Sequence, residues 1–219
     1  MSRTFVVGDL HGCYDELTAL TALVGLRESD RVVCVGDLVA KGEQSREVLE
    51  LFMSDARFSS VIGNHDRALL EYWRGERKKK ELKPAQRKCA KQLKEGRERY
   101  AAYFESLPGY IDLGSHVVVH AGLRPGVALE EQTLEDLTKL RTLGSDRESR
   151  EGTPWYEVYD GGRVALFGHW PAREPRRGPR AVGLDTGCVY GGRLTAYHVE
   201  TGELHSVAAL RAYDEPKKQ

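Results

Sequence analysis

The sequence predicts a mixed α/β (α+β) fold, with a parallel sheet in the first half and a second sheet of shorter strands packed on it. Three patterns carry the prediction. Short apolar runs alternate with helix-period stretches through the amino-terminal third. After Leu107 the pattern changes to short strands set apart by glycine-containing turns. Five of the apolar runs end abruptly in a carboxylate, amide or imidazole within two residues of a glycine, as buried strands do when they deliver ligands at their carboxyl ends.

Taken in order, Phe5-Val6-Val7 runs into Gly8-Asp9-Leu10-His11-Gly12, and Leu17, Leu20, Leu23 and Val24 then set a helical stripe over residues 14–26. Val32-Val33-Cys34-Val35 ends in Gly36-Asp37, followed by the turn Leu38-Val39-Ala40-Lys41-Gly42 and a helix with Val48, Leu49, Phe52 and Ala56 inward. Ser60-Val61-Ile62 ends in Gly63-Asn64-His65-Asp66, and a third helix begins near Arg67. Residues 74–99 then carry twelve Lys or Arg against four Glu. Cys89, Leu93, Tyr100, Tyr103, Phe104 and Leu107 recur there at helical spacing, so 74–107 reads as a packed basic helix and a candidate cap over the site. Its charge is either a solvated face or an attraction for a polyanionic substrate.

Residues 110–113 and 116–119, around Gly114-Ser115, read as a hairpin whose second strand ends in His120. A helix is expected over 129–143, a loop over 144–154, and a strand at Val164-Ala165-Leu166-Phe167 that ends in Gly168-His169. An arginine-rich loop follows at 171–180, then short strands between Gly183 and Gly202. No repeat and no boundary interrupts the chain, so residues 1–219 read as one domain.

The 33 basic and 33 acidic residues cancel, so no overall charge steers the molecule to nucleic acid or a membrane. No apolar stretch approaches the roughly 20 residues of a spanning helix, and the start lacks a leader pattern, which points to a cytoplasmic location and no membrane partner. Cys13, Cys34, Cys89 and Cys188 are far apart with no Cys-x-x-Cys pair and read as reduced, buried thiols. His116, His198 and His205 stand outside any motif and read as surface residues. Trp170, Tyr190, Arg173, Arg176, Arg177 and Arg180 read as packing or solvated residues, or else as the lining of a substrate groove.

The strand-end donors are Asp9, His11, Asp37, Asn64, His120 and His169. Three oxygen donors and three imidazoles exceed one tetrahedral zinc and are too nitrogen-rich for calcium, but suit two divalent ions. Mn²⁺ is the first expectation, with Fe²⁺, Zn²⁺ or Ni²⁺ as alternatives. Asp37 is the expected bridge, since two cations about 3.5 to 4 Å apart need an anion between them. Asp9 and His11 then complete one ion's shell, and Asn64, His120 and His169 the other's. A water trapped between two cations loses its proton near neutral pH and becomes a hydroxide nucleophile. His65, beside Asn64, is the expected general acid for the leaving oxygen. Lys41 is a candidate phosphate-binding charge.

These motifs, in this order, resemble the signature of the calcineurin-like metallophosphatases. Within them the chain is similar to the phosphoprotein phosphatase group, and most to its bacterial ApaH-like branch, the relatives of symmetrical diadenosine tetraphosphatase. Gly183-Leu184-Asp185-Thr186-Gly187-Cys188 resembles the start of the family's carboxyl-terminal hairpin. The resemblance implies a two-sheet sandwich flanked by helices, a dinuclear metal site, and Arg141 as a phosphate-gripping residue. One departure stands out: the group's Gly-Asp-x-Val-Asp-Arg-Gly reads here with Ala40 and Lys41. His65 thereby lacks the expected carboxylate partner, which weighs against protein serine/threonine dephosphorylation.

The expected function is a metal-dependent phosphohydrolase of phosphomonoesters, on phosphorylated side chains or small phosphoesters. The alternatives are cleavage of dinucleoside polyphosphates or of RNA 5′-triphosphate ends and, in another class, a non-catalytic module that holds a phosphorylated partner.

Overall fold

The computed structural model describes residues 2–215. The elements are β1 (Thr4–Val7), α1 (Tyr14–Leu23), β2 (Arg31–Cys34), α2 (Ser45–Ser54), β3 (Phe58–Ser60), α3 (Asn64–Trp73), α4 (Pro84–Gln92) and α5 (Arg97–Ser106). There follow β4 (Tyr110–Asp112), β5 (His116–Val119), α6 (Leu134–Lys139), β6 (Thr142–Leu143), β7 (Thr153–Pro154), α7 (Trp155–Val158) and β8 (Val164–Phe167). The last are β9 (Arg176–Gly178), β10 (Ala181–Gly183), β11 (Arg193–His198) and β12 (Leu204–Ala208).

Two five-stranded sheets result, ordered β12-β11-β1-β2-β3 and β4-β5-β8-β10-β9, with β6 and β7 as a short ribbon. β1, β2 and β3 run parallel, as the strand–helix alternation predicts. The second sheet is mixed: β5, β8 and β10 are parallel, and only its edges β4 and β9 are antiparallel. The final hairpin leaves it altogether. β11 pairs with β1, placing Phe5 opposite His198, and so satisfies the backbone edge of β1 that β2 leaves open.

Period-two alternation splits these strands between cores. Val6, Val33, Val118, Leu166 and Val182 meet between the sheets. Phe5, Val7, Val32 and Cys34 pack with Leu17, Leu20, Val48, Leu49 and Phe104 of the first helices. Val117, Val119, Ala165 and Phe167 pack with Leu137, Trp155 and Tyr156 on the other side. The result is two sheets face to face with helices outside both.

Several expectations need correction. The basic stretch is not one helix: short 3₁₀ turns at Lys79–Glu81 and Lys94–Gly96 divide it. Pro84, with its φ already helical, starts α4 anew. The helix expected over 129–143 shrinks to six residues, opened by Thr133, whose hydroxyl accepts the Asp136 N–H. The 144–154 loop contributes β7 to a ribbon with β6. His116 and His198 are buried, not on the surface. His198 stacks on Phe5 with centroids 4.8 Å apart, and His116 lies 5.4 Å from Tyr197. Short strands give too few alternations to show which face a histidine takes. Arg176 packs, with its guanidinium 4.4 Å above Trp170. All four cysteines are buried and free. Among the described residues no helix is long and apolar enough to cross a membrane.

Candidate metal centre

The loops that leave β1, β2 and β8 are held in unusual conformations. Among the described residues five non-glycines have positive φ: His11 (48°), Asp37 (52°), Ala40 (73°), Lys41 (65°) and His169 (68°). Left-handed backbone costs an L-residue about 1–2 kcal/mol, so it persists only where surrounding bonds impose it. They do so here. The His11 N–H donates to Asp37 O (2.7 Å), Gly12 N–H to Leu38 O (2.9 Å) and Gly42 N–H to His11 O (2.8 Å), stitching the first two loops together. Glycines allow the approach: a Cβ on Gly63 would stand 2.1 Å from Asp37 N, and one on Gly168 would stand 1.9 Å from Asp9 Oδ1.

The donors converge around Asp37. Its Oδ2 is 3.5 Å from His11 Nε2 and its Oδ1 3.6 Å from His120 Nε2, so one carboxylate shows one oxygen to each imidazole. Ligand atoms of Asp9, Asp37 and His120 lie within 4.8 Å of one another, as do those of His11, Asp37 and His65. Asn64 Oδ1 is 2.9 Å from His120 Nε2 and 2.8 Å from His169 Nδ1. Asp9 is fixed by the His169 N–H (3.0 Å), and Asp37 by the His65 N–H (2.8 Å).

Electrostatics set the same residues under tension. Burial raises the Asp9 carboxyl well above the usual range, and the charges of Asp185 and Asp37 add to it. Burial pushes Asp185 up to about 6 and, with Asp37 adding, Asp66 up to about 8. Burial would also raise Asp37, but His120, His65, His11 and Lys41 win and hold it below its ordinary value. Burial and the Lys41 ammonium take His11 down to about 3 and lower His65 strongly. Burial lowers His120, and burial together with His120 lowers His169 strongly. Burial opposes charge on Lys41, yet Tyr190, Asp37 and Asp185 leave its pKa raised.

This donor set fits divalent cations. His120 Nδ1 lies 2.9 Å from Val35 O, which makes that nitrogen the N–H of a neutral ring. Its Nε2 lone pair therefore faces the Asn64 oxygen, acceptor against acceptor, an arrangement a cation resolves. His11 shares the tautomer, with Nδ1 on Val39 O (3.1 Å) and the Nε2 lone pair turned into the cluster. His169 Nε2 is buried without a partner.

All six sequence-derived donors and His65 thus come together. Lys41 is half-buried, its Nζ 2.6 Å from His11 Nε2 and 5.1 Å from the Tyr190 ring centroid. Arg141 is held by Glu148 O (3.0 Å), and its Nε is buried without a partner. Burial lowers its pKa, and its charge in turn acts on His120 and His169.

Sequence reasoning missed three residues. Asp185 lies two residues beyond β10, after an apolar run that ends in a carboxylate like the others, so its signal was present. Asp66 accepts the N–H groups of Gly63 (3.0 Å), Leu38 and Val39 (both 3.3 Å), which ties the second motif to the third. An acid at the third position of a helix is its local signal. Gln86 has none. Its Nε2 is 3.4 Å from His65 Nδ1, where Ala40 leaves no carboxylate, and its Oε1 accepts the Lys83 N–H (2.8 Å).

Two facing sheets whose strand ends gather carboxylates and imidazoles around one aspartate define a metal-dependent phosphoesterase. The comparisons agree. The chain belongs to the calcineurin-like phosphoesterase family, whose model matches residues 2–187. It is 30% identical, over 97% of both chains, to a Bacillus subtilis (strain 168) protein named bis(5′-nucleosyl)-tetraphosphatase PrpE, asymmetrical. It is 28% identical to a Vibrio parahaemolyticus protein named bis(5′-nucleosyl)-tetraphosphatase, symmetrical, over 94% of this chain and 99% of the relative. A crystal structure described, as a proposal, as a diadenosine tetraphosphatase superposes with TM-score 0.80 at 32% identity, covering 94% of this chain and 93% of its own. A Saccharomyces cerevisiae protein serine/threonine phosphatase shares the fold alone, at TM-score 0.61 and 17% identity over 99% of this chain and 82% of its own.

Proposed function

We propose that this chain hydrolyses dinucleoside polyphosphates, rather than the phosphomonoesters that the motifs first suggest. Asp9, His11, Asp37, Asn64, His120 and His169 would hold two divalent cations, Mn²⁺ foremost, with Asp37 shared. Relatives named for this activity align over nearly the whole chain.

The observation that carries the reading is the pairing of His65 with Gln86. The Lys83 N–H holds the Gln86 oxygen, so the amide turns its NH₂ to His65 Nδ1, which accepts. The ring then offers Nε2–H as a hydrogen-bond donor, with Ala40 providing no carboxylate to support full proton transfer. A serine alkoxide leaves poorly without a proton. A nucleotide leaves as a phosphate anion, whose pKa near 6 demands only a hydrogen bond.

When bound, the cations supply Lewis-acid polarisation of the phosphate and a lowered pKa for water. The chain's own residues do the positioning. Asp37 accepts the His65 N–H and fixes the first turn of α3 against the cluster. Arg141, with an unpartnered guanidinium nitrogen, and Lys41 supply charge for polyphosphate oxygens.

Incubation with diadenosine tetraphosphate and Mn²⁺, with nucleotides resolved by ion exchange, tests the proposal. Two ADP, or AMP plus ATP, is the expected outcome, and the ratio fixes the cleavage position. Faster turnover of a phosphoserine peptide or p-nitrophenyl phosphate would overturn it.

A further inference from the structure

Of the basic stretch, only Gln86 and the Lys83 N–H that holds it enter this chemistry. Gln86, Cys89 and Leu93 are buried toward the site and the core, whereas Arg87, Lys88, Lys91 and Lys94 are exposed. With Lys79 they rim a groove of about 490 Å³ whose walls include Tyr72 and Trp73 at the end of α3. Among the described residues these five cations make no ion pair, while a sixth, Arg97, meets Glu98 at 3.0 Å. Nearby surface charges are paired: Arg74 with Glu105 (2.6 Å), Arg77 with Glu71 (2.7 Å), and Arg99 with Glu50. A chain of zero net charge that gathers unpaired cations in one groove leaves a concentrated positive field there.

We propose that this groove binds single-stranded nucleic acid, with phosphates along Lys88, Lys91 and Lys94 and bases against Tyr72 and Trp73. A cationic groove with aromatic walls is how unpaired strands are held without sequence readout, since every base has a face to stack. Trp73 is already fixed for this, lying 5.9 Å from Phe104 at an interplanar angle of 7°. An acidic protein or an anionic lipid surface would use the cations but not the rings inside a groove. His65 lies in the first turn of α3 and Trp73 closes the helix, so the groove lies only about 12 Å along it from the catalytic cluster. The inference goes beyond dinucleotide hydrolysis and stands or falls separately from it.

Fluorescence anisotropy of the whole protein with labelled 5′-hydroxyl oligoadenylate RNA of about 12 nucleotides tests it. Binding should weaken as salt rises. Lys88→Glu with Lys91→Glu should cost at least about tenfold in affinity and reduce the log–log salt slope by about 1.4, two phosphates' worth. Tyr72→Leu should cost about tenfold with the slope unchanged. Turnover of bis-p-nitrophenyl phosphate should be unchanged in each variant, which also reports that each is folded. No binding at low salt, or equal affinity in the double variant, overturns the proposal. So does a silent Tyr72→Leu with RNA displaced equally by polyglutamate or phosphatidylserine vesicles, which would make the groove a general anion surface.

Discussion

The two ends of α3 handle charge in opposite ways. At the Asn64 end, carboxylates and imidazoles are buried, their loops are left-handed, and glycines admit backbone where a Cβ would clash. At the Trp73 end, Lys79, Arg87, Lys88, Lys91 and Lys94 stand exposed on long side chains and, among the described residues, make no ion pair. Chemistry on a phosphorus atom needs donors fixed to fractions of an ångström, and that accounts for the strain. Holding a polyanion needs only a field, which mobile lysines supply. The contrast predicts severe effects from small changes at the first end and mild ones from large changes at the second.

The largest effect is expected at Asp37. Asp37→Ala removes the carboxylate whose two oxygens stand 3.5 Å from His11 Nε2 and 3.6 Å from His120 Nε2, and should lower turnover at least about a thousandfold, some 4 kcal/mol. Metal content by mass spectrometry should fall while the circular dichroism is retained. Undiminished metal content would break the comparison, because Asp37 would then not be the centre of the cluster.

Next comes Gly63→Ala, which removes no functional group. Its Cβ would sit 2.1 Å from Asp37 N, so the second and third loops must part. Overpacking of this kind costs roughly 1–3 kcal/mol, or about 3–10 °C in melting temperature. Metal affinity should fall with it. A variant that melts unchanged and keeps its metal would show the loops to be less tightly stitched than their hydrogen bonds imply.

Gln86→Leu is milder. It leaves the donors alone and frees the His65 ring, so kcat on diadenosine tetraphosphate should drop about tenfold with KM unchanged. Gln86→Asn, one methylene short of the Lys83 N–H, should not restore it. A changed KM with kcat intact would make Gln86 a substrate contact instead.

The same contrast explains what the sequence disclosed. The strand-end donors were legible because a ligand loop at a strand terminus prints glycine, apolar run and polar residue side by side, as at Gly8-Asp9 and Gly168-His169. Gln86 was not, because its contact with His65 spans 21 positions and depends on where α4 restarts at Pro84. The pairing of β11 with β1 was hidden for a related reason: Phe5 and His198 meet across nearly the whole chain. The basic stretch was plain in composition, yet its division into separate helices was not, since the apolar stripe persists across the break.

The smallest effect sharpens the comparison most. Lys88 sits three residues before Lys91 on α4, and like charges at that spacing destabilise a helix by about 0.2–0.5 kcal/mol. Lys88→Glu turns that repulsion into an attraction, with the acid on the favoured amino-terminal side. The substitution should therefore leave the protein as stable or raise its melting temperature by about 1–3 °C, a gain of roughly 0.5–1 kcal/mol. The gain should shrink between low salt and about 1 M, where the screening length falls to about 3 Å. A charge-reversed protein that melts higher, turns over normally and loses RNA would show that α4 carries these lysines at a cost in stability. A lower melting temperature at every salt concentration would instead mean that Lys88 has a structural role, and the difference between the two ends of α3 would be smaller than drawn here.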